Sequence, residues 1–203
     1  MSIDTTLTVK AAALKRVSIR KYLPEPMPQG DIDEILEIAG KAPSAWNIQP
    51  WKVAVVHSEE MKQKLMGAAY GQPQVGSAAA VFVVYNDMEE ALGRLDESVH
   101  PGMRDRLEEA KAGIMKVFGP MSVEDRAQWG HGQTNIFLGW LLLAIEATGY
   151  VSSPMLGFDP AKVKELLGLP AHVTLPGIVA VGKADGEGFS QHRFDHQSFT
   201  SYF

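Results

Sequence analysis

The chain has 203 residues, enough for one domain with a substantial core, and its 45% hydrophobic and 21% charged residues belong to a folded globular protein rather than a disordered one. A formal net charge of −5 excludes the broad basic field that general nucleic-acid or anionic-membrane binding requires. The lack of cysteine removes disulfides, thiolate metal sites and a thiol nucleophile.

The opening Met-Ser-Ile-Asp-Thr-Thr has no basic stretch followed by an apolar run, so no secretory leader is expected there. The longest apolar run, residues 136–145, is too short to span a bilayer, and a cytoplasmic protein is the expectation. Residues 6–15 read as a helix with Leu7, Ala11 and Leu14 on one face. The chain then extends, which would point Ser18, Arg20 and Tyr22 to one side. After Pro24 and Pro26, Asp31 reads as the cap of a second helix with Ile32, Ile35, Leu36 and Ala39 inward, ended by Gly40. Residues 51–57 form a valine-rich strand, 59–69 a helix, and 78–85 a strand buried on both faces.

Residues 87–121 are charged, with helix expected around 105–117, and read as a lid, an excursion or a partner-contact segment. A long helix is expected over 124–148; its second half is apolar nearly all round, so it belongs inside the molecule. Residues 150–153 form a short strand, Asp159-Pro160 caps and starts a helix to Leu167, and 175–182 is the last strand. The tail, 185–203, spaces Phe189, Phe194, Phe199, Tyr202 and Phe203 among polar residues and is expected to dock on a surface such as a partner subunit's. No repeat or linker divides the chain, so residues 1–203 read as a single α+β domain whose sheet is mixed.

The familiar nucleotide motifs are missing: no GxGxxG follows a strand and no GxxxxGK[ST] occurs. No GxSxG elbow is present. His192 and His196 lack further ligands nearby and read as surface or packing histidines, so no metal site is expected. Paired acids such as Glu59-Glu60 and Glu108-Glu109 read as solvated helix faces.

Two segments stand apart. Arg16-Val17-Ser18-Ile19-Arg20-Lys21-Tyr22 concentrates cations and a hydroxyl; read alone it is equally a basic helix end complementing a macrodipole or a phosphate site. Ala42-Pro43-Ser44-Ala45-Trp46-Asn47-Ile48-Gln49-Pro50-Trp51 clusters polar groups and indoles before a strand, where loops carry function. Together with Ser153-Pro154-Met155-Leu156-Gly157-Phe158-Asp159 and with Arg193 after the last strand, they resemble the nitroreductase family of FMN-dependent oxidoreductases, in the family's order, over residues 6–195.

That resemblance implies a three-layer α/β/α fold with a mixed, mostly antiparallel sheet and a long central helix. It implies a homodimer with FMN sites at the subunit interface, and no nucleic-acid or membrane partner. Arg16, Ser18 and Arg193 would hold the FMN phosphate, beside Val17, and Arg20 would lie toward the ribityl chain and pyrimidine edge. Ser44 and Asn47 would come from the other subunit to meet the phosphate or ring edge, and Pro43 would be a further cofactor contact. Pro154 and Met155 would flank the ring, the Leu156–Gly157 backbone would donate an N–H toward N5, and Gln74 would add a polar contact. Departures are Val17 and Gln191, each where family members carry a basic residue, and Leu156 in place of an acid, which makes the substrate face more apolar. The implied reaction is reduction of nitroaromatics, quinones or similar acceptors by NADH or NADPH through a ping-pong hydride mechanism, with no catalytic side chain. The alternatives are a dehalogenase or enone reductase of the same fold, or a non-catalytic FMN-binding module.

Overall fold

The computed structural model describes residues 7–203. Four strands, β1 (Trp51–Val56), β2 (Ala80–Asn86), β3 (Val151–Met155) and β4 (Thr174–Gly182), form one sheet in the order β1-β2-β4-β3, and every ladder is antiparallel. Among the described residues, the parallel component of the expected mixed sheet reduces to one isolated bridge, Ser18 to Ser152. That pairing ends at once because Ile19 and Tyr22 turn into the core.

Alternation along the central strands divides the core into two layers. Val81 and Val83 of β2 and Ile178 and Ala180 of β4 face α3 (Glu59–Ala68), α4 (Pro73–Ser77) and α9 (Pro160–Leu167), packing with Leu65, Val75 and Val163. Phe82 and Val84, with Val179 and Val181, face α2 (Gln29–Ala39) and α8 (Val123–Ala147), packing with Ile35, Phe137, Leu141 and Ile145. This is the three-layer α/β/α arrangement, with the 25-residue α8 lying across the sheet. Helix and sheet approach closely at Gly130, where a Cβ would fall 2.3 Å from Asn86 Oδ1 and 2.4 Å from Met88 Cγ.

Several local expectations are corrected. Helix α1 spans Val9–Lys15, capped by Thr8; Thr6, the expected first residue, lies outside the described residues. Its buried residue is Ala12, and Leu14 points outward. The small Ala12 seats the helix, and Lys15 reaches the buried Glu146 at 3.0 Å, which turns Leu14 to solvent. Helix α2 starts at Gln29 with Pro28 at the cap position; Asp31 does not cap it but bonds the Tyr150 hydroxyl. Tyr22 does not share a side with Ser18 and Arg20: it is buried, its hydroxyl donating to the carbonyls of Ile19 (2.7 Å) and Ala180 (3.0 Å). Strand β3 runs on through Pro154, which an edge strand tolerates where no N–H is needed.

The stretch after β2 is more structured than its charge suggests. It holds α5 (Met88–Gly93), α6 (Leu95–Ser98), a 3-10 turn (Pro101–Arg106) and α7 (Leu107–Phe118). Asp87 caps α5, and Met88, Leu95, Ile114 and Phe118 build a third, smaller core with Ile48. The aromatic side chains of the tail are exposed. No helix among the described residues is long and apolar enough to cross a membrane.

Candidate active site

The end of α1, the following strand-like segment and the tail meet in a crevice of about 190 Å³ lined by Arg16, Val17, Ser18, Arg20, Phe189, Ser190, Gln191 and Arg193. The fold brings Arg193 to Arg16 through one side chain: Gln191 Nε2 donates to the carbonyls of Ala13 and Arg16, each at 2.8 Å. It thereby satisfies carbonyls that the end of a helix leaves open. Ser18 is fixed by its bridge to Ser152 and by Ile19 N–H donating to Ser152 O at 3.0 Å.

Electrostatics give this crevice its chemistry. Burial, then the like charge of Arg193, push the Arg16 pKa down, while Glu146 opposes the shift. Among the described residues, Arg16 Nη1 is buried with no hydrogen-bond partner. An orphaned buried donor costs about 1–3 kcal/mol, and more when charged. Two guanidiniums lining one crevice, one of them with an unsatisfied donor, define a cradle for a doubly charged anion such as a phosphate. The volume suits a phosphate group but not an attached three-ring system, so the rest of such a ligand must lie outside this crevice.

A second cluster follows along β3. Ser152, which pairs with Ser18, leads directly to Pro154, Met155, Leu156 and Gly157. Leu156 is 77% exposed. Among the described residues, neither the Leu156 nor the Gly157 N–H has an acceptor. Gln74, only 6% exposed, places Nε2 3.1 Å from Met155 Sδ and 3.0 Å from Gln72 Oε1. Gln72 Nε2 in turn donates to Gly157 O at 2.6 Å and Ala69 O at 3.1 Å. The sequence reading named Gln74 and missed Gln72; the available signal was the Gln-Pro-Gln repeat of amides just before a strand.

The third group, Pro43, Ser44 and Asn47, sits on a separate loop. Trp46, Asn47 and Gln49 have φ of 51°, 56° and 50°, a left-handed conformation that costs about 1–2 kcal/mol per ordinary residue. The surroundings hold it there. Ser44 Oγ accepts from Gln49 N–H at 2.9 Å, Gln133 Oε1 accepts from Ala45 N–H at 2.9 Å, and Asn47 Nδ2 donates to Ser98 O at 2.8 Å. Trp46 packs edge-on against Phe118 and near Trp129, with centroids 5.7 and 6.1 Å apart. Such strain concentrates at functional positions. No cavity described for the single chain is lined by both this loop and the arginine crevice. Gln133, absent from the sequence reading, is the side chain that ties the loop to α8.

A three-layer fold with an anion cradle, free backbone donors beside it and a strained polar loop facing elsewhere defines a class of cofactor-binding protein. The chain belongs to the nitroreductase family, whose model matches residues 13–183. It is 50% identical over 188 residues to a protein of Thermus thermophilus named NADH dehydrogenase, covering 92% of each chain. A protein from Exiguobacterium sibiricum solved in complex with FMN superposes with a TM-score of 0.87 at 24% identity, covering 97% of this chain and 98% of that one. An enone reductase of gut-bacterial fatty acid saturation, CLA-ER, superposes with a TM-score of 0.85 at 23% identity, covering 98% and 99%.

Proposed function

We propose that this chain is an FMN-dependent oxidoreductase that draws electrons from NADH or NADPH and passes them to nitroaromatics, quinones or similar electron-poor acceptors, with two copies of the chain sharing each site. The observation that carries this reading is Arg16 Nη1, buried, unpartnered and beside a second guanidinium.

The residues fit FMN. Arg16 and Arg193 would grip the phosphate as charged forks, and Ser18 would add a neutral hydroxyl donor, with Val17 forming the apolar wall. Arg20, exposed at the crevice mouth, would lie toward the ribityl chain and the pyrimidine edge, where a cation favours the reduced, anionic cofactor. Pro154 and Met155 would flank the ring, Gln74 would offer its free amide oxygen, and the Leu156–Gly157 backbone would present its unpaired N–H groups to N5. Pro43, Ser44 and Asn47 would reach the site of a second copy. Bound there, FMN would supply two-electron hydride chemistry. No side chain need act as acid or base, and donor and acceptor would use the same ring face in turn, in ping-pong order.

Leu156, exposed and apolar at the edge of the site, favours a second reading in which the acceptor is an apolar enone, as the likeness to an enone reductase would suggest.

Titration of the apoprotein with FMN, followed by anaerobic NADH or NADPH, tests the proposal. Uptake of FMN to one per chain and rapid bleaching of the visible flavin band are expected. FMN uptake without bleaching would make the chain a binding module, and no uptake would overturn the flavin reading. Parallel turnover with a quinone, a nitroaromatic and an α,β-unsaturated ketone separates the acceptor classes.

A further inference from the structure

The amide pair Gln72 and Gln74 reaches across from the helical layer to the segment after β3, and nothing in the cofactor reading uses Gln72. Its carboxamide makes three polar contacts at once. Nε2 donates to Gly157 O at 2.6 Å and to Ala69 O at 3.1 Å, and Oε1 accepts from Gln74 Nε2 at 3.0 Å. A carboxamide that donates twice and accepts once has little freedom to rotate. The contact with Gly157 joins residues 85 positions apart. Space is tight as well: a Cβ at residue 157 would lie 3.1 Å from Gln72 Nε2, so a glycine lets the two approach. On the other side of Gly157, Phe158 N–H donates to Leu156 O at 3.1 Å. Gln72 thus fixes the Gly157–Phe158 peptide through its carbonyl, that peptide's N–H fixes the Leu156 carbonyl, and the Gly157 N–H in the same plane as the Leu156 carbonyl stays open.

We infer that Gln72 is a positioning residue: by clamping the Gly157 carbonyl, and with it the turn that fixes the Leu156 carbonyl, it holds the Gly157 N–H pointing at the cofactor's reactive nitrogen. This rests on the FMN reading above and adds a residue that does not itself touch the cofactor. The physical consequence concerns redox balance. A fixed N–H donor at N5 stabilises the oxidised cofactor, whose N5 has a lone pair, and opposes the reduced form, whose N5 carries hydrogen. Releasing the clamp should therefore favour reduction.

The test uses FMN-loaded wild type and two variants. Gln72→Glu keeps length and shape but, when ionised, cannot donate to a carbonyl; Gln72→Leu removes all three polar contacts. Both are expected to retain FMN and to favour the reduced state about tenfold, a rise of about 30 mV in the two-electron midpoint potential. They should also shift the visible flavin band and speed hydrogen exchange at the Phe158 amide in the apoprotein. A purely structural role would lower thermal stability without moving the potential or the spectrum. Variants that load FMN with wild-type potential and spectrum overturn the role of Gln72 while leaving the FMN reading intact. If either variant fails to fold, the other, or Gln72→Asn, which is too short to reach Gly157, carries the same measurement. A wild type that takes up no FMN sinks both readings together.

Discussion

Arg16 is kept where a guanidinium is costly, half-buried beside Arg193 with one nitrogen unpartnered. Arg16→Ala should weaken FMN binding by about 10- to 150-fold, the worth of one charge-assisted hydrogen bond of about 1.5–3 kcal/mol. Apoprotein stability should change by less than about 1 kcal/mol, because lost packing is offset by relief of like-charge repulsion. Equilibrium FMN titration and urea unfolding of the same samples check both. His131 offers a separate residue-scale test. Its Nδ1 lies 3.0 Å from Thr174 Oγ1, and burial holds its pKa below the usual 6.5. As pH falls through that value the unfolded chain takes up a proton first, so stability should drop on acidification and rise again with pH. His131→Asn should flatten this slope in melting curves between about pH 5 and 8, the window in which histidine titrates. Arg16 and Arg20 stood out because charge and hydroxyl crowd a short segment, although that segment alone read equally as a helix end, and Arg193 was named only through the family resemblance. Gln72 was not legible, since an amide gains its meaning only from a partner 85 residues away.

Elements were legible wherever a local signal decided them. Asp159 accepts from the N–H groups of Ala161 and Lys162 and Pro160 opens α9, as the Asp-Pro pair foretells, and Gly168 closes it at φ 63° after Leu167. Where tertiary contacts outbid the local signal, the reading failed. Asp31 was taken from the cap by Tyr150, and Tyr22 was drawn inward by the carbonyls of Ile19 and Ala180. The helix expected around 105–117 is α7, but α5 and α6 were hidden because their few apolar residues serve a small local core rather than a long amphipathic face. The contact between α8 and β2 gives this scale its prediction. Gly130→Ala would press a methyl into Asn86 and Met88, and should cost about 1–3 kcal/mol as overpacking. Chemical denaturation measures it, and an unchanged midpoint would contradict the close approach.

Across the whole molecule, apolar surface remains where one chain offers no cover. Trp140, 41% exposed, and Ile136 stand one turn apart on α8, and the tail carries five exposed aromatic residues. The sequence showed the second half of α8 to be apolar nearly all round, but only the packed fold shows which face stays bare. In the shared-site proposal that face meets its copy in a dimer, so Trp140→Glu should shift the protein toward monomer in sedimentation and lower FMN occupancy together; a monomer with full FMN would refute sharing. Arg193 adds a last consequence, since it rides on the tail while Arg16 belongs to the body. Any anion bridging the two must tie the tail to the body at a second point besides Gln191. Loading the cofactor should therefore work as a clasp, shielding the Arg193–Phe194 bond from trypsin in proportion to the ligand bound, so that a half-filled population is trimmed to half.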